Sequence, residues 1–75
     1  EFKQLSNIQI ETLRLVSEGL TNAEIAQTRF ISEKSVEQTI SRIVKILALP
    51  NEAPRNQRVH MVRIFFRLTG AKPSE

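Results

Sequence analysis

Six polar side chains recur on one face of a segment with helical apolar spacing, and they offer hydrogen bonding and charge rather than covalent chemistry. They lie opposite an apolar stripe formed by Val36, Ile40 and Val44, which the helical period turns inward. The six polar residues are Lys34, Glu37, Gln38, Ser41, Arg42 and Lys45. We expect this face to be available to solvent or to a ligand.

The sequence gives little support to other kinds of chemistry. It contains no cysteine and one histidine, His60, which we expect on the surface of the fourth helix. The carboxylates are scattered without a paired partner, and no glycine-rich loop is present to hold a phosphate. We therefore expect neither an enzyme nor a bound cofactor or metal ion.

Two helix starts, one short turn apart, must position the polar face. Thr21 is followed three residues later by Glu24, which predicts a capping box at the start of a helix. Ser32 is a second N-cap candidate, directly before the polar face. A short helix, a tight turn and a longer one-sided helix form a helix-turn-helix, which places its second helix in the major groove of DNA.

The sequence predicts four helices and no sheet, because no alternating apolar pattern of any length appears. Ser6, with Gln9 three residues on, opens the first helix, and Gly19 ends it. The other three are predicted from about Asn22 to Thr28, Glu33 to Ala48, and Asn56 to Thr69. Pro50 and Pro54 bracket a loop before the fourth helix, and Gly70 and Pro73 stop that helix. The residues expected to turn inward on the first two helices are Ile8, Ile10, Leu13, Leu15, Val16, Ile25 and Ala26.

The composition is that of one small globular domain, and its charge is distributed unevenly along the chain. The chain has 75 residues, of which 40% are hydrophobic, and no apolar run approaches a membrane span or a signal peptide. We therefore expect a soluble, cytoplasmic piece of a longer protein. The net charge is −2 over residues 1–37 and +5 over residues 38–75, an asymmetry that suits a surface facing phosphate.

The helix-turn-helix segment resembles that of LuxR/NarL/FixJ-type bacterial transcription regulators, and the resemblance covers about residues 5–68. Their pattern includes Gly-Leu-Ser/Thr-Asn-x-Glu-Ile-Ala, then Ile-Ser-x-x-Thr/Ser-Val. The matching residues are Leu5, Ser6, Glu11, Leu13, Leu15, Gly19, Leu20, Thr21, Asn22, Glu24, Ile25, Ala26, Ile31, Ser32, Ser35 and Val36, and more loosely Arg58 and Val62. The resemblance implies an all-α, four-helix domain that binds duplex DNA sequence-specifically as the output domain of a regulator, with residues 33–48 in the major groove.

The same resemblance implies which residues read bases. The family's usual readers fall on Glu37, Gln38 and Ser41, near the start of the third helix. Glu37 departs from the family, whose members mostly have lysine there. A carboxylate can accept a hydrogen bond from cytosine N4, and the Gln38 amide can pair with adenine N6 and N7.

Phosphate contacts are expected at helix N-termini and along the third helix. Free N–H groups and the helix dipole attract anions at a helix start, although plain capping is an alternative reading there. Thr39 stands where the family often has a histidine that touches the DNA backbone, and its hydroxyl could donate to a phosphate. The candidate residues are Thr21, Asn22, Ser32, Lys34, Ser35, Thr39, Arg42 and Lys45.

Two further expectations concern packing. Arg29 occupies a position where the family has a core leucine, so either its stem packs there or Phe30 fills the space, and we favour Phe30. On the fourth helix, we expect an inward set and an outward set of apolar residues. The inward set is Val59, Val62 and Phe66, and the outward set is Met61, Phe65 and Leu68, which would form a two-fold dimer contact on DNA.

The predicted organisation is a tail or cloning remnant over residues 1–4, the helix-turn-helix domain over 5–69, and a C-terminal tail over 70–75. Besides duplex DNA, the possible partners are a second copy of the chain, RNA polymerase, and an N-terminal sensory or receiver domain, with no membrane. The alternative is a degenerate helix-turn-helix used for protein–protein contact. Glu37, Thr39 and the low net charge favour that alternative, whereas the ordered caps and the basic C-terminal half oppose it.

Overall fold

The computed structural model describes residues 4–70, apart from the side chain of Leu68. Four helices form the described part of the chain: α1 (Asn7–Ser17), α2 (Asn22–Arg29), α3 (Glu33–Ile46) and α4 (Pro54–Thr69). α1 packs against all three other helices, and α2 packs against α3. The predicted all-α, four-helix fold with a helix-turn-helix is confirmed. Of the tails expected at residues 1–4 and 70–75, residues 1–3 and 71–75, including Pro73, lie outside the described residues.

The helix starts have the capping interactions that the sequence predicts. The backbone N–H of Gln9 donates to Ser6 Oγ at 3.2 Å, and the backbone N–H of Ser6 donates to Gln9 Oε1 at 2.9 Å. Thr21 and Glu24 exchange the same two bonds at 3.2 and 2.8 Å. At α3, Ser32 Oγ accepts from the backbone N–H of Ser35 at 3.1 Å. Local sequence therefore sets where α1, α2 and α3 begin.

The helix ends share a residue in the left-handed backbone conformation. Gly19 and Gly70 have φ of 90° and 75°, and the non-glycine residues Phe30 and Ala48 have φ of 58° and 53°. After α3, the N–H of Leu49 donates to the carbonyl of Val44 at 3.0 Å, as in a Schellman motif. This closure explains why α3 ends at Ile46 rather than at the predicted Ala48.

α4 begins two residues earlier than predicted. Pro54 is its first residue, after Ala53, whose side chain makes no capping hydrogen bond. Proline suits the first turn of a helix because its φ is already helical and the N–H that it lacks would have no partner there. The expectation that Pro54 closes a loop, with the helix starting near Asn56, was wrong for this reason.

The core lies where α1 meets the other helices. Its most buried members are Leu13, Ile25, Ile43, Met61, Val36 and Thr12, each less than 2% exposed apart from Thr12 at 2%. The inward orientation of Ile25 and Ala26 is confirmed. Ile8 was expected to widen the buried stripe of α1, but it is 56% exposed. It is the second residue of α1 and lies in the N-terminal turn.

The division of α4 into inward and outward residues was wrong at three positions, Val59, Met61 and Phe65. Met61 is fully buried, whereas Val59 is 45% exposed. Val62 and Phe65 are partly buried and pack against the core. Apolar residues lie around much of this helix, so the direction in which it docks on α1, and not the sequence period, decides which residues are covered.

The choice between Arg29 and Phe30 is also corrected. Phe30 is 94% exposed, because the left-handed conformation that ends α2 directs it away from the core. Arg29 is half-buried, which agrees with packing of its aliphatic stem. His60, expected on the surface of α4, is half-buried, and its Nε2 lies 3.3 Å from Glu52 Oε1. None of the helices in residues 4–70 has the length and apolar character needed to cross a membrane.

Candidate nucleic-acid interface

The six polar residues predicted on one face of α3 line one shallow surface depression, here named the α3 outer face: Lys34, Glu37, Gln38, Ser41, Arg42 and Lys45. All six are exposed. They are held outward because Val36 and Ile43, on the other side of the helix, are buried to 1% and 0% exposure. The structure thus brings together the three candidate base readers and three of the candidate phosphate ligands.

Glu37 is an unpaired carboxylate within this face. Among the described residues it makes no hydrogen bond and no ion pair, although Lys34 and Arg42 line the same depression. A carboxylate in that state has all its acceptor sites available. It can therefore meet a donor on a ligand without first giving up a partner within the domain.

The polar residues at the start of α3 largely bond to one another. Ser32 Oγ donates to Ser35 Oγ at 3.1 Å, in addition to capping the backbone N–H of Ser35. Thr39 Oγ1 donates to the carbonyl of Ser35 at 3.0 Å. A hydroxyl has one proton, so Thr39 would have to give up this bond before it donated to a phosphate, and its predicted phosphate contact stays a prediction. Better candidates are the backbone N–H groups of Glu33 and Lys34, the first two residues of α3, because the first N–H groups of a helix have no intrahelical acceptor.

Thr21 and Asn22 lie in a second depression, the α2 groove, which is separate from the α3 outer face. Its walls come from the turn before α2, the first residues of α2, and parts of α3 and α4: Gly19, Leu20, Thr21, Asn22, Ala23, Glu33, Ile40, Pro54, Gln57 and Arg58. The first N–H groups of a helix have no intrahelical partner. The groove therefore combines free α2 donors with the guanidinium of Arg58.

Arg58 is the residue of this region that the sequence analysis did not place in the site. Its Nη1 donates to Asn22 Oδ1 at 2.9 Å, and its Nη2 donates to the carbonyl of Leu20. These bonds join α4 to the start of α2, 36 and 38 positions away in sequence. The loose match of Arg58 to the family pattern was the sequence feature that pointed to it.

α1 carries a separate group of charges. Arg14 makes hydrogen bonds and ion pairs with Glu11, three positions before it, and with Glu18, four positions after it. The hydrogen bond from Arg14 is the main reason that the pKa of the Glu11 carboxyl lies below its ordinary value. Burial opposes this shift, and the positive charges of Arg14 and Arg29 add to it. The glutamates raise the pKa of the Arg14 guanidinium. One arginine between two glutamates leaves this group with a net charge of −1, so it does not add to the basic surface.

The family model for bacterial regulatory proteins of the luxR family matches residues 3–62. The chain belongs to the luxR family. No curated protein and no solved structure matches it significantly. The family match includes α1, α2, α3 and the first half of α4, so it contains the complete helix-turn-helix. LuxR-family domains of this type are DNA-binding regulators and not enzymes.

The residues expected at a dimer contact differ in how far they are buried. Met61 is fully buried, so it cannot lie in an interface while the luxR domain stays folded. Phe65 is half-buried and packs partly against the core. The side chain of Leu68 lies outside the described part of the chain. Among the described side chains of α4, the most accessible apolar one is Val59, and Val62, Ile64, Phe65 and Phe66 are partly accessible.

Proposed function

We propose that this luxR-family domain binds duplex DNA sequence-specifically as the output domain of a bacterial transcription regulator, with α3 in the major groove. The observation that carries the proposal is the α3 outer face, where six exposed polar side chains lie on the second helix of a helix-turn-helix. The second helix of this motif is the one that enters the major groove. Glu37, Gln38 and Ser41 are the proposed base readers.

Phosphate contacts surround these readers in the proposed complex. Arg42, Lys45 and Lys34 supply positive charge from the same exposed face. The starts of α2 and α3, at Thr21–Asn22 and Ser32–Ser35, supply those backbone N–H groups of the first helical residues that the capping bonds leave free, and such groups suit phosphate oxygens. The net charge of +5 over residues 38–75 favours the same orientation.

The proposed assembly on DNA is a homodimer that pairs through α4. Its supports are the accessible apolar surface around Val59 and the two-fold symmetry common in homo-oligomers and in helix-turn-helix operators. One helix pair buries little area, so we expect the isolated domain to be monomeric at low concentration. Contact with RNA polymerase, and with an N-terminal sensory or receiver domain of a response regulator, is proposed for the full protein in the bacterial cytoplasm.

Selection of bound sequences from random duplex DNA, followed by binding measurements at several salt concentrations, tests the proposal. We expect an enriched consensus and an affinity that falls steeply with salt. Arg42→Ala should weaken binding to all sequences alike and flatten the slope of log K against log salt by about one unit, as expected for one lost phosphate contact. Arg63→Ala, which removes an exposed cation of α4, is the matched control.

Two results would count against this function. An absence of any consensus, together with weak binding that is insensitive to salt, would favour the protein-contact alternative. A sequence-selective loss in Arg42→Ala with an unchanged slope would instead make Arg42 a base reader. The family match does not favour the protein-contact alternative.

A further inference from the structure

Asn22 is held in one orientation by a residue of a different helix. The guanidinium of Arg58 donates to Asn22 Oδ1 at 2.9 Å and to the carbonyl of Leu20. A guanidinium has donors and no acceptor. The amide oxygen of Asn22 must therefore face Arg58, and its NH₂ group must point the other way.

The NH₂ group of Asn22 is free and reachable from solvent. Asn22 Nδ2 has no hydrogen-bond partner among the described residues, and no buried side-chain nitrogen or oxygen in that part of the chain lacks one. Nδ2 of this half-buried residue is therefore accessible. Asn22 is the first residue of α2, so the two amide donors lie beside the free backbone N–H groups of the helix start.

Arg58 itself is poorly placed to serve as the main phosphate ligand. Its Nη1 and Nη2 each already donate one hydrogen bond within the domain, to Asn22 Oδ1 and to the carbonyl of Leu20, and these bonds tie the guanidinium to the groove wall. Arg58 lines the α2 groove together with Asn22, so direct contact with the phosphate is the alternative that the test has to separate. Without Arg58, the Asn22 amide could turn its oxygen outward. An oxygen in that position would repel a phosphate oxygen instead of donating to it.

We propose that Arg58 is a positioning residue for DNA binding, which fixes the Asn22 amide so that both N–H bonds face a phosphate at the start of α2. The inference rests on the proposed DNA-binding function and adds a residue of α4 to it. Arg58 acts through a neutral amide, so its contribution to affinity is separable from that of a cation in direct contact with phosphate.

The test is a double-mutant cycle on the 75-residue chain, with a duplex that the wild-type chain has selected from random DNA. The variants are Asn22→Ala, Arg58→Met and the double variant, measured by fluorescence anisotropy at several salt concentrations. Each single variant should weaken binding roughly five- to tenfold, about the net value of one hydrogen bond. The double variant should be no weaker than Arg58→Met, because both changes remove the same contact.

The salt dependence separates positioning from direct contact. Arg63→Met removes another α4 arginine and measures the general effect of one lost charge. If Arg58 acts through Asn22, the slope of log K against log salt for Arg58→Met should match the slope for Arg63→Met. A slope lower than that control by about one unit, or a double variant whose loss is the product of the two single losses, would overturn the proposal.

Arg58→Lys provides a second variant that keeps the charge if Arg58→Met does not fold. A lysine cannot bridge two acceptors with a rigid fork, so it should lose most of the same affinity. Recovery of wild-type affinity by Arg58→Lys would show that charge alone matters, and would overturn positioning. If the wild-type chain binds no duplex at all, the proposed function itself fails, whereas failure of the cycle with normal wild-type binding removes only the role of Arg58.

Discussion

At the scale of single residues, Phe30 and Ala48 hold a backbone conformation that favours glycine. Their φ values are 58° and 53°, and each lies at the end of a helix where α1 and α4 have Gly19 and Gly70. The left-handed conformation costs roughly 1–2 kcal/mol for a residue with a Cβ atom. Phe30 is 94% exposed, so its side chain recovers almost none of that cost by burial.

We expect Phe30→Gly and Ala48→Gly each to raise the free energy of unfolding by about 0.5–1 kcal/mol. The gain is smaller than the relieved strain because glycine has more conformational freedom in the unfolded chain. Urea unfolding followed by circular dichroism measures the change. Ala23→Gly is the matched control, since exposed Ala23 lies within α2 and should lose about 1 kcal/mol. A loss of the same size in Ala48→Gly would contradict the argument.

Glu37 is the second residue whose environment leads to a prediction. It is exposed on the α3 outer face and has no partner among the described residues. Glu37→Gln should relax the preference at one base pair, with a loss of roughly 1–3 kcal/mol of discrimination. Glu37→Lys should raise non-specific affinity and steepen the salt dependence through one added phosphate contact.

Repeated selection from random DNA measures the first effect, and salt titration with an unselected duplex measures the second. Glu33→Gln is the control, because Glu33 lies one turn earlier in the α2 groove and not on the α3 outer face. An unchanged consensus in Glu37→Gln, with no gain of affinity in Glu37→Lys, would mean that Glu37 does not face DNA. The protein-contact alternative would then be preferred.

At the scale of the elements, α1 is stabilised along its surface by the pairing of Arg14 with Glu11 and Glu18. The pKa of Glu11 is lowered in the folded domain, chiefly by the hydrogen bond from Arg14. A carboxyl with a lowered folded pKa stabilises the fold above its unfolded pKa. That contribution is lost as the pH falls through the folded value.

We therefore expect Glu11→Gln to cost a few tenths of a kcal/mol near neutral pH, as is typical of an exposed helical ion pair. The difference from wild type should shrink below the ordinary carboxyl value of 4.5 and disappear in strong acid, where Glu11 is protonated in both states. Urea unfolding between pH 2 and pH 7 checks this. A difference from wild type that stays the same from pH 7 to pH 2 would contradict a role for the ionised Glu11 carboxylate.

At the scale of the whole molecule, α4 has one side on the core and another that is accessible. Met61 is buried and Val59 is 45% exposed, while Arg58 connects the start of α4 to α2. The proposed pairing of two domains would use the Val59 side. Such an arrangement would bring two copies of α3 to successive half-sites on DNA.

We expect Val59→Glu to reduce cooperative binding to paired half-sites and to leave binding to one half-site nearly unchanged, because a buried charge at a two-fold contact meets its own copy. Footprinting and sedimentation with DNA of one and two half-sites measure this. Ile8→Glu is the matched control, since Ile8 is 56% exposed on α1. Equal cooperativity in both variants and the wild type would show that the Val59 side of α4 forms no dimer contact.

The sequence by itself determined the features that depend on neighbours along the chain. The capping boxes at Ser6 and Thr21, the cap at Ser32 and the left-handed Gly19 were all predicted and confirmed. Each involves hydrogen bonds or backbone angles within a few residues, so the residue types are sufficient to specify them. The same local spacing predicted that six polar residues would share one exposed face of α3.

Only the tertiary structure decided which sides of α4 and of the α2–α3 turn are covered. The helical period cannot choose among apolar residues that surround a helix, so the burial of Met61 and the exposure of Val59 follow from docking on α1. The exposure of Phe30 follows from how the chain turns to bring α3 against α1 and α2. The bond from Arg58 to Asn22 spans 36 positions, and such contacts exist only once the helices have packed, because packing alone brings distant residues within hydrogen-bond distance.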